Sequence, residues 1–404
     1  MRATGFLRLA GPIRDYAWGD RHTIAELVGV EPTGGPMAEL WLGAHADDPS
    51  TVADSGHSLA DVVAADPTVV LGRAVAERFA DLPFLVKVLA VAEPLSLQAH
   101  PSRDQAEAGF TAEEERGLAP DSDERNYRDR NHKPELLCAL SDFSALCGFR
   151  PVDETLALLD ALAVPELDGH RARLLADDGL RDVVTDLLTR SAQSVATLTD
   201  ALAPAAARLA EAGGRFAAEA AELDNLGRIY PGDRGIVIAA LLNLVRLAPG
   251  ESVFVAAGQL HAYLKGVGVE LLANSDNVLR GGLTGKRVDV AELLRLLDFT
   301  PGPVRVDAGT VARHGDSLEV AYASPVPDFQ LRRLEVAADP IEVSVPGPRI
   351  LLCVAGTAEV DVGAVHRLEG GQAGFLTADV DARLRGAPTA TVFLATVGNN
   401  KGEN

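Results

Sequence analysis

The stretch GQLHAYLKGVGVELLANSDNVLRGGLTGKRVDV, residues 258–290, carries the reading of the whole chain. A glycine turn leads to His261, and VGVEL at 267–271 has β character. Between His261 and Arg287, Lys265, Arg280, Lys286 and Arg287 stand against Glu270 and Asp276, so this part is locally cationic. Two other strings supply possible partners for His261. In SLQAHP, Gln98 and His100 lie two residues apart, so on a strand both side chains point to one face. Pro101 then fits the end of that strand. In NHKPE, Glu135 adds a carboxylate. Two imidazoles, one carboxylate and one amide oxygen form a donor set acceptable to zinc.

Working outward, LPFLVKVLAVAEPLSL at 82–97 reads as strands meeting at a bend marked by Glu93-Pro94. TAEEERGLAPDSDER at 111–125 reads as a solvated helix end and loop. From Pro151 to Leu247 the pattern is helical: Leu180, Val183/Val184 and Leu187/Leu188 recur at amphipathic spacing. YPGD at 230–233 is an N-cap for an apolar helix over 236–245. After Pro249 the chain returns to short strands. PGESVFVAAGQLHA at 249–262 aligns without gaps to GGQAGFLTADVDAR at 370–383, pairing Phe254 with Phe375 and His261 with Ala382. This repeat predicts two related barrels, of which one keeps a metal ligand.

The chain has 404 residues, and its 37 Lys+Arg against 58 Asp+Glu give a net charge of −21. That field disfavours nucleic acid and anionic membrane surfaces as partners. Much of the excess lies in the helical block, where 14 acids face 6 arginines between Pro151 and Leu226. Cys138, Cys147 and Cys353 show no CxxC spacing and read as buried apolar residues of a reducing compartment. With no signal-peptide pattern or bilayer-length apolar run, a cytoplasmic monomer is expected. His57, His170, His314 and His366 lack supporting context and are expected on the surface.

Gly258-x-x-His261 resembles the second half of a cupin motif, in which a glycine turn aims a histidine at a metal inside a double-sheet jelly roll. The longer strings LSLQAHPSRDQAEAGF, NYRDRNHKPELLCAL and the opening stretch resemble the type I mannose-6-phosphate isomerases, as do YAWGD at Tyr16, AELWLGAH at Ala38 and YPGDRGIVIAALLNLVRLAPGE. The resemblance covers most of residues 10–300. It implies a zinc-dependent cupin enzyme interconverting mannose 6-phosphate and fructose 6-phosphate. It places one zinc per chain on Gln98, His100, Glu135 and His261, and the catalytic arginine at Arg280. One departure is visible: Ala256-Ala257-Gly258 stands where the family often has Pro-Ala-Gly.

The expected fold is mainly β with a helical domain: a catalytic jelly roll from 1–150 and 248–320, helices over 151–247, and a metal-free cupin-like β domain over 321–404. Isomerisation moves a proton between C2 and C1, and a zinc with one carboxylate ligand keeps about one positive charge to offset the anion that forms. Arg280 is always cationic and is suited to holding that charge rather than to base work. His132, Lys133 and Asp276 are the candidate acid/base groups, with Asp276 equally able to orient Arg280 or Lys133 by an ion pair. Lys87, Lys286 and Arg287 are candidate phosphate cations, and Glu270 and Tyr263 are expected to line the site. An iron oxygenase, a non-catalytic sugar sensor and an isomerase of free mannose are the competing functions; intact ligands and Arg280 argue against the first two.

Overall fold

The computed structural model describes residues 5–398. Helix and strand take nearly equal shares of it, so "mainly β" understates the helical content. Every strand pair among the described residues is antiparallel. One sheet centres on the long strand His261–Ala273, and the other on Arg349–Asp361 and Ala382–Thr396. Strand pairing closes neither sheet into a barrel.

The strand His261–Ala273 passes through both halves of its sheet. Its first part pairs with Phe143–Phe149, and its second part lies between Phe84–Val91 and Glu135–Ala139. The register shifts between Tyr263 and Lys265, which marks a bulge. Gly266 follows at φ 128, and a Cβ there would meet Phe143 and the carbonyl of Asp142 under 3 Å away. A bulge of one residue exchanges the two faces of a strand. Hence His261 and Tyr263 face inward before it, and Gly268, Glu270 and Leu272 face inward after it.

The outer faces are covered by different partners. Val86, Val88, Leu136, Val269 and Leu271 pack against Leu331, Ile350, Leu352, Phe375 and Phe393 of the second sheet. Leu146, Phe149, Ala262 and Leu264 pack against the helices, among them Leu158, Val184, Leu202 and Leu226. Inner residues from both halves, including Leu89, Leu137, Ala145, Cys147 and Tyr263, share one further cluster. The site therefore lies between the halves.

The two windows of the repeat fold alike. Ser252–Val255 precedes His261–Ala273 with the same spacing as Ala373–Leu376 precedes Ala382–Thr396. All three cysteines are buried and free, and no described helix is long and apolar enough to cross a membrane.

Several expectations change. The helix begun by YPGD runs only over Arg234–Ala239, with Asp233 as its N-cap. Leu242–Leu247 is instead a strand on Phe143–Phe149, because Asn243 and Arg246 break the helical stripe and a free sheet edge stands beside it. Phe6–Ala10 joins the second sheet through Ala373–Leu376, away from the part to which residues 1–150 were assigned. Glu113 is buried in the stretch expected to be solvated, where it accepts the amides of Asn126 and Tyr127 at 3.0 and 2.9 Å; Arg125 is buried too. His170 is buried as well, with Nε2 2.9 Å from Asp186, because its helix packs on Gly179–Thr189.

Leu271 sits fully buried between the sheets. Leu271→Ala is expected to cost about 2–5 kcal/mol by transfer and cavity terms, measured as a loss of unfolding free energy in denaturant.

Candidate metal centre and active site

Three of the expected ligands meet. Oε1 of Glu135 lies 3.2 Å from Nε2 of His100, and Oε2 lies 3.4 Å from Nε2 of His261. All three residues are buried, and their donor atoms fall within 4.8 Å of one another. Each imidazole is oriented from behind: Nδ1 of His100 is 2.7 Å from the carbonyl of Asn277, and Nδ1 of His261 is 3.0 Å from that of Gln259. A carbonyl only accepts, so both Nδ1 atoms carry the proton and both Nε2 lone pairs are free. Neither Nε2 has a hydrogen-bond partner among the described residues. Tetrahedral zinc with ligand bonds of about 2.0–2.1 Å spaces its ligand atoms about 3.3 Å apart, which the two observed separations match. The residues fit a metal.

Gln98 completes the row by register. It is the direct cross-strand partner of His261 on one side and of Arg280 on the other. Directly paired residues share a face, so Arg280, Gln98 and His261 project together. Burial pushes the His100 imidazole down to about 4, keeping it neutral as a ligand must be. Burial alone would raise Glu135, but His100 beside it and the charge of Lys133 hold it well below the usual carboxylate range.

Next to the cluster lies a network of buried charges. Lys133 Nζ is 3.2 Å from Glu135, and the Tyr263 hydroxyl is 3.5 Å from the other oxygen. Lys87 reaches Glu39 at 3.3 Å and Glu270 at 3.9 Å, under the ring of Trp41. Lys87 is thus buried beside two carboxylates rather than placed at the mouth as a phosphate cation. Burial and the charge of Glu135 push Glu270 up to about 7 against the pull of Lys87 and Lys133. Tyr263 is raised by burial and by the same carboxylates.

The remaining candidates separate. Nε2 of His132 faces the buried Asp328 at 3.0 Å. Asp276 pairs neither with Arg280 nor with Lys133 but with His45, at 3.3 Å. Burial works the other way, yet the His45 bond holds the Asp276 carboxyl low. Arg287 is engaged by Asp289 and the carbonyl of Glu124. Among the described residues Lys286 and Arg280 make no ion pair; the charge of Arg280, then burial and Arg128, push Lys286 down against the pull of Asp123. Burial and Arg128 likewise lower Arg280. Three cations that repel one another, opposed at Lys286 by Asp123, form a place for an anion. Lys265, counted above with this positive stretch, is exposed and lies beside Glu222 on the helical side.

Sequence reasoning missed Arg128, Glu39, His45 and Asn277. Asn277 is a buried hub that accepts the amides of Arg128 and Asp129 and donates to the carbonyls of Asp129 and Asn131. Its place beside Asp276 in the long motif was the one available signal.

A buried two-histidine, one-carboxylate centre with an unpaired cationic rim defines a metal-site protein facing a small anion. The phosphomannose isomerase type I catalytic-domain model matches residues 6–152. Mannose-6-phosphate isomerase of Escherichia coli K12 is 37% identical over 382 residues, covering 92% of this chain and 95% of that protein. The human mannose-6-phosphate isomerase is 34% identical over 390 residues, covering 88% and 89%. The solved Salmonella typhimurium enzyme described as bound to fructose 6-phosphate and zinc superposes with a TM-score of 0.87 at 32% identity, covering 98% of this chain and all of that one. The chain belongs to the type I phosphomannose isomerase family.

The metal-free chain is expected to take up one zinc ion. His261→Ala should abolish stoichiometric uptake and Arg280→Ala should preserve it, as read by elemental analysis of the purified proteins.

Proposed function

We infer that this chain interconverts mannose 6-phosphate and fructose 6-phosphate, with one zinc held by Gln98, His100, Glu135 and His261. The observation carrying this reading is the row Arg280–Gln98–His261, which places a half-buried guanidinium beside the metal cluster, with Arg128 and Lys286 as neighbouring cations. The shared name of the family's curated members and the fructose 6-phosphate in the Salmonella relative support the substrate.

The bound metal supplies Lewis-acid stabilisation of negative charge on the sugar oxygens. This chain's own groups do the rest. Lys286 and Arg128 hold the phosphate, and Arg280 steadies the sugar oxygens nearest the reacting carbons. Glu270 takes the proton from C2 and returns it to C1 through an enediol, its carboxyl set near neutrality between Lys87 and Tyr263. Lys87 keeps Glu270 in place, and Lys133 holds Glu135 while facing the substrate. The contacts of His132 and Asp276 make them positioning groups, the first on Asp328 and the second on His45.

The two sheets are taken as open, cupin-type sandwiches related by the repeat, the second of which carries Ala382 where the first carries His261. The chain then has three parts, a catalytic sheet, a helical part and a second β part, with residues 240–247 belonging to the catalytic sheet. A reading as an isomerase of free mannose conflicts with three neighbouring cations that make no ion pair among the described residues.

Zinc-loaded protein is expected to turn over mannose 6-phosphate and to leave free mannose nearly untouched. Lys286→Ala and Arg128→Ala should each raise KM for the phosphorylated sugar roughly tenfold, and equal turnover of both sugars would overturn the phosphate assignment. Glu270→Gln should keep its zinc and lose at least about a hundredfold in kcat, checked by steady-state kinetics and metal analysis.

A further inference from the structure

The YPGD turn does more than start a helix. Oδ1 of Asp233 accepts the amide of Gly235 at 2.6 Å, as an N-cap does, and also the amide of Leu283 at 2.8 Å. Its second oxygen accepts the amide of Thr284 at 3.4 Å. These last two bonds cross about fifty residues of sequence, to the loop that joins Arg280 to Lys286.

That loop has an unusual backbone. Leu283 is buried and left-handed, with φ 54, a conformation that costs a residue with a large side chain and persists only where its surroundings impose it. Gly282 precedes it with φ 148, and a Cβ there would stand 2.7 Å from Cα of Gly235 and 2.9 Å from Oδ1 of Asp233. The turn and the loop therefore touch backbone to backbone, and only glycines permit that approach. The hold continues toward the cation: Oγ1 of Thr284 accepts the amide of Lys286 at 3.1 Å.

The turn is itself anchored. The Tyr230 hydroxyl donates to the carbonyl of Pro94 at 2.7 Å, just ahead of the strand bearing Gln98. Arg234 donates to the carbonyl of Leu188 in the helical block.

We propose that Asp233 is a positioning residue for phosphate recognition: it clamps the 281–285 loop so that Lys286 and Arg280 converge on one anion. This rests on the isomerase reading given above. It also gives the helical block a role, since that block supplies the clamp. Asp233 touches neither substrate nor metal in this scheme, so its loss acts on binding of the charged group ahead of chemistry.

The test uses the zinc-loaded full chain and two variants, Asp233→Ala and Asp233→Asn. The alanine removes all three acceptor contacts. The asparagine keeps one oxygen for Gly235 and Leu283 and turns an amide toward the Thr284 N–H. In Asp233→Ala, KM for mannose 6-phosphate and the competitive inhibition constant of inorganic phosphate should rise together by roughly tenfold, with kcat changed far less and zinc content unchanged. Asp233→Asn should move both constants in the same direction by a smaller factor. Loss of a helix cap alone would lower Tm and leave both constants where they were, and that result overturns the clamp. If the alanine variant fails to fold, Asp233→Asn decides alone, and constants within twofold of the parent overturn the proposal. Should the parent chain itself not turn over mannose 6-phosphate, the isomerase reading fails. Calorimetric binding of inorganic phosphate to the parent and Asp233→Asn then tests the clamp separately.

Discussion

One extra residue between Tyr263 and Lys265 decides which side chains of the central strand reach the site. Without that bulge, a strand that turns His261 and Tyr263 inward would also turn Val269 and Leu271 inward and bury Glu270 against the second sheet. With it, the metal-facing histidine and Glu270, the base in the proposed reaction, sit on one continuous strand and face the space between the two halves of the sheet. The outer faces are left largely apolar, which lets the helices cover one half and the second sheet the other. Metal centre, packing and layer order thus share one local irregularity.

The site's electrostatics follow from burying three carboxylates near one another. Glu39, Glu135 and Glu270 are all under a tenth exposed, and Lys87 and Lys133 lie among them. Charges at that depth persist only when paired. The pairing divides the carboxyls: Glu135 is held ionised by Lys133, while burial beside Glu135 raises Glu270. Two environments a few ångströms apart suit one acid to hold a metal and the other to exchange a proton. The net charge of −21 belongs to the shell. At the rim, Arg128, Arg280 and Lys286 repel one another, which is the local condition a sugar phosphate would relieve.

Asp233 shows how distant segments are made to cooperate. A carboxylate that caps a short helix also holds a left-handed residue in the loop bearing the rim cations. The sequence marks it as a cap through YPGD, and nothing in the spacing between residues 233 and 283 announces the second role.

Much of the site was legible before folding was considered. Gln98 and His100 share a face by strand periodicity, Glu135 and His261 stand in motifs of recognisable chemistry, and Arg280 and Lys286 belong to one string. The helical pattern that opens at Pro151 was equally plain, although its reading ran on to Leu247, past the point where the chain turns into a strand. These are local signals, written in spacing and residue type. Other features depend on partners far away in the chain: the burial of His170 by Asp186, the strand at Leu242–Leu247, the pairing of Asp276 with His45, and the inward turn of Lys87 between Glu39 and Glu270. A sequence by itself determines which groups are able to bind a metal or an anion and how each short segment prefers to run. Only the tertiary structure decided which of them meet, because burial, register and the bulge's exchange of faces are properties of paired strands and packed layers.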